Sequence, residues 1–596
     1  MKQVWNNHLF LWKLCFKTAP GYMIYNLYDG FRHQIMIFLE HTIGIRYVLH
    51  CAEYGEPFYK ALLGIGIILL LNMLQIIPDG YFIHAMTYRM KPKLYRALKE
   101  RMYEKAAELD LSCYDDPKYY NEFVLAVAEA ESSIDRFIAF SNSSMQSLTI
   151  VFSTGAFYLM TDSVSVLFVG VSFILSFLLG KRLNKLNYQV RLKVNPWERK
   201  RNYAGRVFYL NDYAKELRLN PEVAKLLKED FIEANDKIIE EQKKISGKRV
   251  GLSFLRNYGV SDFITDGLYV GYLVLQAAVF HTIDYSNAVV LFNRTGNLRN
   301  GMRGLAEIGP AANENSLYID KIRTFLAYEP KMKQGSGEKV PEGTGCLELS
   351  HVSFRYTEDA KETLHDICLK VEPGERVAIV GYNGAGKTTL IKLLMRLYDP
   401  TDGSISYHGR NIDRYLLSEY RSRVGVVFQD FKMYGASLLE NVVLNDVGDN
   451  AGEEAAVTAA LCQSGFEERL RSFPAGLSTQ LTTEFDEQGV NLSGGESQKV
   501  AIARAFYRQA DILIMDEPSS ALDPIAEYSL NKAMHDAALN KTVFYISHRL
   551  STTRDADRIL MLEKGRIIEE GTHEELLRKN GKYAEMWYAQ AGKYTA

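Results

Sequence analysis

Residues 61–77, ALLGIGIILLLNMLQII, carry no charged side chain and constrain this chain more than any other stretch. The run continues past Pro78 and Asp79 into YFIHAM, long enough to cross about 30 Å of hydrocarbon as a helix. A second apolar block covers 148–179, and the polar pair Thr161-Asp162 divides it. Since one span needs roughly 20 residues, the block reads as two helices joined by a very short turn. Weaker candidates lie at 22–49, 263–280 and 287–309, the last interrupted by Asn293, Arg294, Asn297 and Arg299. Six spans are expected.

Global composition conceals this organisation. The 596 residues suggest two to four domains, and 24% charged residues with a net charge of −2 are ordinary for a soluble enzyme. Distribution is what matters. Residues 89–105 and 180–201 are rich in Lys and Arg, whereas the segment around Glu53 and Glu56 and the Thr161-Asp162 turn have no basic cluster, so residues 89–105 and 180–201 are expected on the cytoplasmic side. About 45 residues then link spans two and three and about 70 link four and five, with helix-like apolar spacing. Arms of about 20 helical residues would project ~30 Å below the membrane. The six cysteines, Cys15, Cys51, Cys113, Cys346, Cys368 and Cys462, show no CxxC spacing, so neither a zinc site nor a disulfide framework is expected. No removable signal peptide is expected at the N-terminus.

Residues 329–345, EPKMKQGSGEKVPEGTG, have no apolar period and read as a linker. Beyond it the pattern changes. Residues 376–380, RVAIV, form an apolar strand running into Gly381-Tyr-Asn383-Gly384-Ala-Gly386-Lys387-Thr388-Thr389, a phosphate-binding loop in the required strand-to-helix setting. Glycines permit the tight turn, loop N–H groups wrap phosphate, and the next helix presents its positive end. Lys387 is expected on the β and γ phosphates of ATP and Thr388 on Mg²⁺. Further on, the apolar strand 512–515 ends in Asp516-Glu517, expected to serve the metal and the attacking water respectively.

Leu492-Ser493-Gly494-Gly495-Glu496, followed by SQKVAIARAF, resembles the signature motif of ABC transporter ATPases. The resemblance extends along the whole chain. Gln429 in VVFQD matches that family's Q-loop, and Ser520-Ala521-Leu522-Asp523 its D-loop. His548 in YISHR matches the switch histidine, and Tyr356 the aromatic that stacks on adenine. The resemblance implies a multidomain chain: a six-helix all-α transmembrane domain (1–328) with an elbow helix near 5–15, then the linker (329–345), then an α/β P-loop ATPase domain (346–596). Coupling helices are implied near 115–123 and 208–217. It further implies that Glu517, His548 and Gln429 act in catalysis and that Gln429 joins Thr388 and Asp516 at Mg²⁺. ATP would lie against Tyr356, the P-loop residues through Thr389, Asp523, and Ser493-Gly494-Gly495 of a second copy.

What such a chain implies is ATP-driven export across a plasma membrane, multi-pass and bacterial, with the ATPase in the cytoplasm. The unit would be a homodimer, a heterodimer being the other possibility. A peptide is the expected cargo, with lipid flipping or multidrug export as the alternative. No peptidase domain precedes the spans, so leader trimming is not expected. Asp79, Asp262, Asp266, Arg294 and Arg299 lie in or beside apolar segments, where a charge costs about 3 kcal/mol, and read equally as a substrate path or as structural pairs. Glu496, where the family more often has Gln, would weaken ATP binding if it pointed at the phosphates. A soluble ABC ATPase acting on nucleic acid would lack the spans, and a silent regulator would tolerate loss of Glu517 or His548. Membrane lipids are therefore expected neighbours, and nucleic acid is not.

Overall fold

The computed structural model describes residues 2–115, 117–330, 332, 337–357, 360–445, 451–517, 532, 541–546, 553, 554 and 556–591. The chain divides into two compact units: Met1–Ala107 with Asn121–Tyr328, and Glu108–Tyr120 with Glu329–Ala596.

The first unit is helical. Among its described residues six long helical runs follow one another: Pro20–Glu53, Phe58–Glu108, Ala130–Thr161, Ser163–Tyr209, a run from Pro221–Phe254 through Leu255–Leu268, Tyr269–Val274 and Leu275–Val279, and Tyr285–Leu326. Each expected apolar segment falls on one of them. Pro20–Glu53, Phe58–Glu108 and Ser163–Tyr209 are long and apolar enough to cross a membrane by themselves. Helix suits that solvent because all its backbone hydrogen bonds close within the segment. Asp162 makes the sharp break expected in the second block, its carboxylate accepting from the Val164 N–H at 3.3 Å and the Ser165 N–H at 3.1 Å to cap the next helix.

Tyr285–Leu326 packs closely on Ala130–Thr161. A Cβ on Gly301 would sit 2.6 Å from Ile150 Cγ2, and one on Gly304 2.0 Å from Ser147 Oγ, so small residues set this approach. The buried Tyr158 hydroxyl donates to the Leu291 carbonyl on the same face. The helix expected near 5–15 extends over Lys2–Thr18, and Asn7 Nδ2 donates to Ser316 Oγ at 2.9 Å. The short helix expected at 208–217 is shifted: Phe208 and Tyr209 end the preceding helix, and Asn211–Leu219 begins after the extended Leu210.

Two sheets build the second unit among its described residues. An antiparallel sheet, in the order β2-β1-β4-β5, contains β1 (Leu347–Phe354), β2 (Leu364–Val371), β4 (Asp402–Tyr407) and β5 (Arg410–Asn411). A second sheet, in the order β10-β9-β3-β8-β7-β6, contains β3 (Arg376–Gly381), β6 (Val424–Val427), β7 (Ile512–Asp516), β8 (Thr542–Ile546), β9 (Arg558–Glu563) and β10 (Arg566–Gly571). Its strands β6, β7, β8, β3 and β9 run parallel, and β7 is buried along its full length, as a strand covered on both faces must be. The segment Glu108–Tyr120 clusters with this unit, where the Tyr398 hydroxyl donates to Asp115 and the Met332 N–H to Asp110.

Candidate functional site

The parallel topology places the ends of β3, β8 and β7 side by side, and the candidate residues gather at that carboxyl edge. A cavity of about 580 Å³ is lined there by Asn383, Gly384, Gly386, Lys387, Thr388, Thr389, Gln429, Asp516 and Glu517, together with Thr363, Ala385 and Ile546. Gly381 leaves β3 with φ +152°, and a Cβ there would lie 2.3 Å from the Leu562 carbonyl. Gly386 caps the helix Lys387–Leu394 with φ +103°, where a Cβ would meet Leu364 at 2.8 Å. Only glycine meets both requirements.

Lys387 is buried, and its Nζ donates to the carbonyls of Gly381 at 2.7 Å and Tyr382 at 3.2 Å. The loop therefore curls around its own lysine, with an ammonium and a helix N-terminus facing the cavity, which is the donor set a polyphosphate needs. Burial pulls the Lys387 ammonium below its ordinary value, while Glu517 and Asp516 oppose that pull. Burial first, and then repulsion from Glu517, push the Asp516 carboxyl up to about 6 against the opposing pull of Lys387. A divalent cation beside Asp516 would relieve that strain, so Asp516 and Thr388 fit an Mg²⁺ ion.

Glu517 stands one residue past β7 with φ +51°, a left-handed conformation fixed by its N–H bond to the Ile546 carbonyl at 3.0 Å. Its Oε2 accepts from Gln429 Nε2 at 3.1 Å. The backbone at Glu517 is also held by Gln498, whose Nε2 donates to the Glu517 carbonyl at 3.3 Å. Nothing in the sequence marks Gln498 beyond its place in the helix after the signature, whose buried face carries it. Tyr356 lies beyond the loop, with its hydroxyl 3.0 Å from Thr389 Oγ1 and Lys392 Nζ 5.3 Å from its ring. Asp523 and His548 lie outside the described residues.

Ser493, Gly494 and Gly495 are not among the residues lining this cavity. They open the helix Gly494–Tyr507, where Ser493 and Glu496 form a reciprocal cap: the Ser493 N–H donates to Glu496 Oε2 at 2.8 Å, and the Glu496 N–H to Ser493 Oγ at 3.4 Å. Arg469 Nε lies 2.9 Å from the other carboxylate oxygen. Burial pushes the Glu496 carboxyl upward, but the Ser493 bonds and Arg469 outweigh it and hold it below the usual range. Glu496 thus turns back on its own helix end.

Of the charged groups flagged in the apolar segments, Asp79 is ion-paired with Arg32, which also holds Asp29 at 2.9 Å. Arg294 is buried, and with the Asn297 amide assigned so that its oxygen faces the guanidinium, Arg294 Nη1 donates to that oxygen at 2.8 Å. The side chains of Asp262 and Asp266 lie outside the described set.

The ABC transporter family model matches residues 364–520. The chain is 40% identical over 263 residues to the ATP-dependent lipid A-core flippase of Burkholderia thailandensis, a match covering 44% of this chain and 43% of the flippase. The chain thus spans less than half the length of those relatives. The subtilin transport ATP-binding protein SpaT of Bacillus subtilis is 29% identical over 490 residues, covering 82% of this chain and 79% of that one. A solved bacterial Atm1-family ABC exporter with ATP bound shares the fold, with a TM-score of 0.72 at 23% identity over 96% of this chain and 97% of the other. The ABC transporter match thus falls on the second unit at residues 364–520, the likeness to the solved exporter extends along 96% of the chain as a shared fold, and three helices of the first unit are long and apolar enough to cross a membrane.

Proposed function

We propose that this chain is one half of an ATP-driven exporter that works as a dimer, a homodimer in the simplest case. One observation carries the reading: Lys387, Thr388, Gln429, Asp516 and Glu517 converge on one cavity, while Ser493-Gly494-Gly495 stand outside it. A phosphate cradle open on one side needs donors from elsewhere, and a second copy would supply them from its exposed helix start.

In that arrangement Lys387 and the loop N–H groups hold the β and γ phosphates, and Tyr356 receives the adenine. Thr388, Gln429 and Asp516 would hold Mg²⁺, which supplies charge neutralisation on the phosphates. Glu517 orients and polarises the attacking water, and its position is held through Gln429 and the strained backbone beside Ile546. Asp523 and His548 are assigned by their motifs. Closure depends on contacts made only with the γ-phosphate, so hydrolysis releases them and the membrane helices alternate access. The basic loops at 89–105 and 180–201 keep the ATPase domain on the cytoplasmic side of the plasma membrane.

A peptide is the favoured cargo, supported by the long match to a protein named for subtilin transport. Lipid flipping is the second reading, favoured by the higher identity to the lipid A-core flippases. The test of the motor is Glu517→Gln in the full-length chain: ATP binding is retained and turnover falls about 10²-fold or more, with an ATP-closed dimer accumulating. Turnover near wild type would place water activation elsewhere. Stimulation of the nanodisc-reconstituted ATPase by peptides but not lipids supports peptide export, and the reverse supports the flippase reading.

A further inference from the structure

The strands β1 and β2 pair antiparallel, yet their register slips between Leu349 and Val352, where the partners are Leu369 and Ile367. The slip inserts an extra residue into β1, and His351 there has φ +52°; Asp366 on β2 has φ +51°. Both are left-handed conformations uncommon outside glycine, and both side chains are thrown onto the solvent face, where Cys368 lies two residues along β2. The backbone at His351 is pressed by Gly403 of the adjoining strand β4, where a Cβ would lie 2.3 Å from the His351 carbonyl oxygen.

Three chemically different donors meet there. His351 Nδ1 is 2.7 Å from Asp366 Oδ1 and 3.6 Å from Cys368 Sγ, and all three ligand atoms lie within 4.8 Å of one another. Zinc bonds of about 2.0 Å to nitrogen and 2.3 Å to sulfur, set at a tetrahedral angle, separate the two ligand atoms by roughly 3.5 Å. The His351–Cys368 spacing already matches. The His351–Asp366 pair needs to open by roughly 0.6 Å, which is the change from a shared proton to a shared cation. A thiol, an imidazole and one carboxylate form a borderline-soft set suited to Zn²⁺ rather than Mg²⁺ or Ca²⁺. Among the described residues it is the one group of His, Cys, Asp or Glu side chains with this geometry.

We propose that His351, Asp366 and Cys368 form a three-ligand Zn²⁺ site on the ATPase domain, with water in the fourth position. Binding replaces the thiol proton of Cys368, so one proton leaves as the Zn–S bond forms. The ion staples β1 to β2 five residues ahead of Tyr356. The site is separate from the ATP cavity, and none of its residues lines that cavity. The expectation of no zinc site is revised for this reason: the ligands are brought together by cross-strand pairing, which CxxC spacing does not report.

The test is a titration of the purified, metal-stripped full-length chain in detergent without nucleotide, using Zn²⁺ and, as a chromophore, Co²⁺. Wild type is expected to bind one Zn²⁺ per chain and to show a thiolate-to-Co²⁺ charge-transfer band. Cys368→Ser removes that band although the other five cysteines remain, and His351→Gln weakens Zn²⁺ at least tenfold. Basal ATPase activity of both variants should match wild type, which shows that they are folded. An unchanged stoichiometry and Co²⁺ spectrum in Cys368→Ser, or absence of binding by wild type, overturns the proposal.

Discussion

The carboxylate of Glu496 is the point at which a charge near the signature either harms or supports the site, and its contacts allow the consequence to be worked out. Replacing it with alanine removes the bond from the Ser493 N–H, 2.8 Å long and charge-assisted, worth about 1.5 kcal/mol at a partly exposed site. The Arg469 pair, with side chains 40% and 28% exposed, adds only about 0.5 kcal/mol. Alanine returns about 0.4 kcal/mol through its helix propensity. The net loss is about 1.6 kcal/mol in the first turn of Gly494–Tyr507, a factor of roughly fifteen in local opening. Glu496→Gln keeps a carbonyl acceptor for Ser493 and loses the charge, so it should cost about 1 kcal/mol, or roughly fivefold. Arg469→Ala should cost about 0.5 kcal/mol, or roughly twofold. Hydrogen exchange of the Gly494–Ser497 amides in the full-length chain measures these factors directly. The carboxyl titrates below its unfolded value, so its contribution is complete above that value and is lost as pH falls through the folded one. Equal exchange in Glu496→Ala and Glu496→Gln would refute the cap as the source of stability, and unchanged exchange in both would refute the contact itself.

Four further outcomes are expected. Protomers carrying Lys387→Ala and protomers carrying Ser493→Arg should each be inactive alone and regain part of their ATPase activity when mixed, because one site of the mixed dimer joins an intact loop to an intact signature; recovery only with a different native subunit would establish a heterodimer. Tyr356→Ala should weaken ATP binding by about tenfold through lost stacking while leaving the loop intact, as read by nucleotide titration. Gly301→Leu should lower the thermal midpoint, since its side chain must displace Ile150 at a cost of about 1–3 kcal/mol. Asp79→Asn should lower basal and stimulated ATPase together with the yield of folded protein, because Asp79 is paired with Arg32; selective loss of stimulation would instead make it a substrate contact.

Contiguous features were legible in the sequence, because local chemistry dictates them. An uninterrupted apolar run has one stable form in hydrocarbon, and the break at Asp162 is made by the same side chain that interrupts the run. The P-loop needs glycines at fixed offsets because its backbone adopts positive φ at Gly381, Gly384 and Gly386, and Asp516-Glu517 follow directly from a strand apolar enough to be buried on both faces. Features that depend on register and packing were not legible. Nothing in the spacing of Arg469 and Glu496 announces an ion pair, and Gln498 reaches the Glu517 backbone only because its helix lies against the end of β7. Arg32 and Asp79 meet because two helices pack at one level. His351 and Cys368, 17 positions apart, become neighbours through a slip of one residue in strand pairing, and that slip follows from how β1 fits against β2 and β4 rather than from any residue pattern.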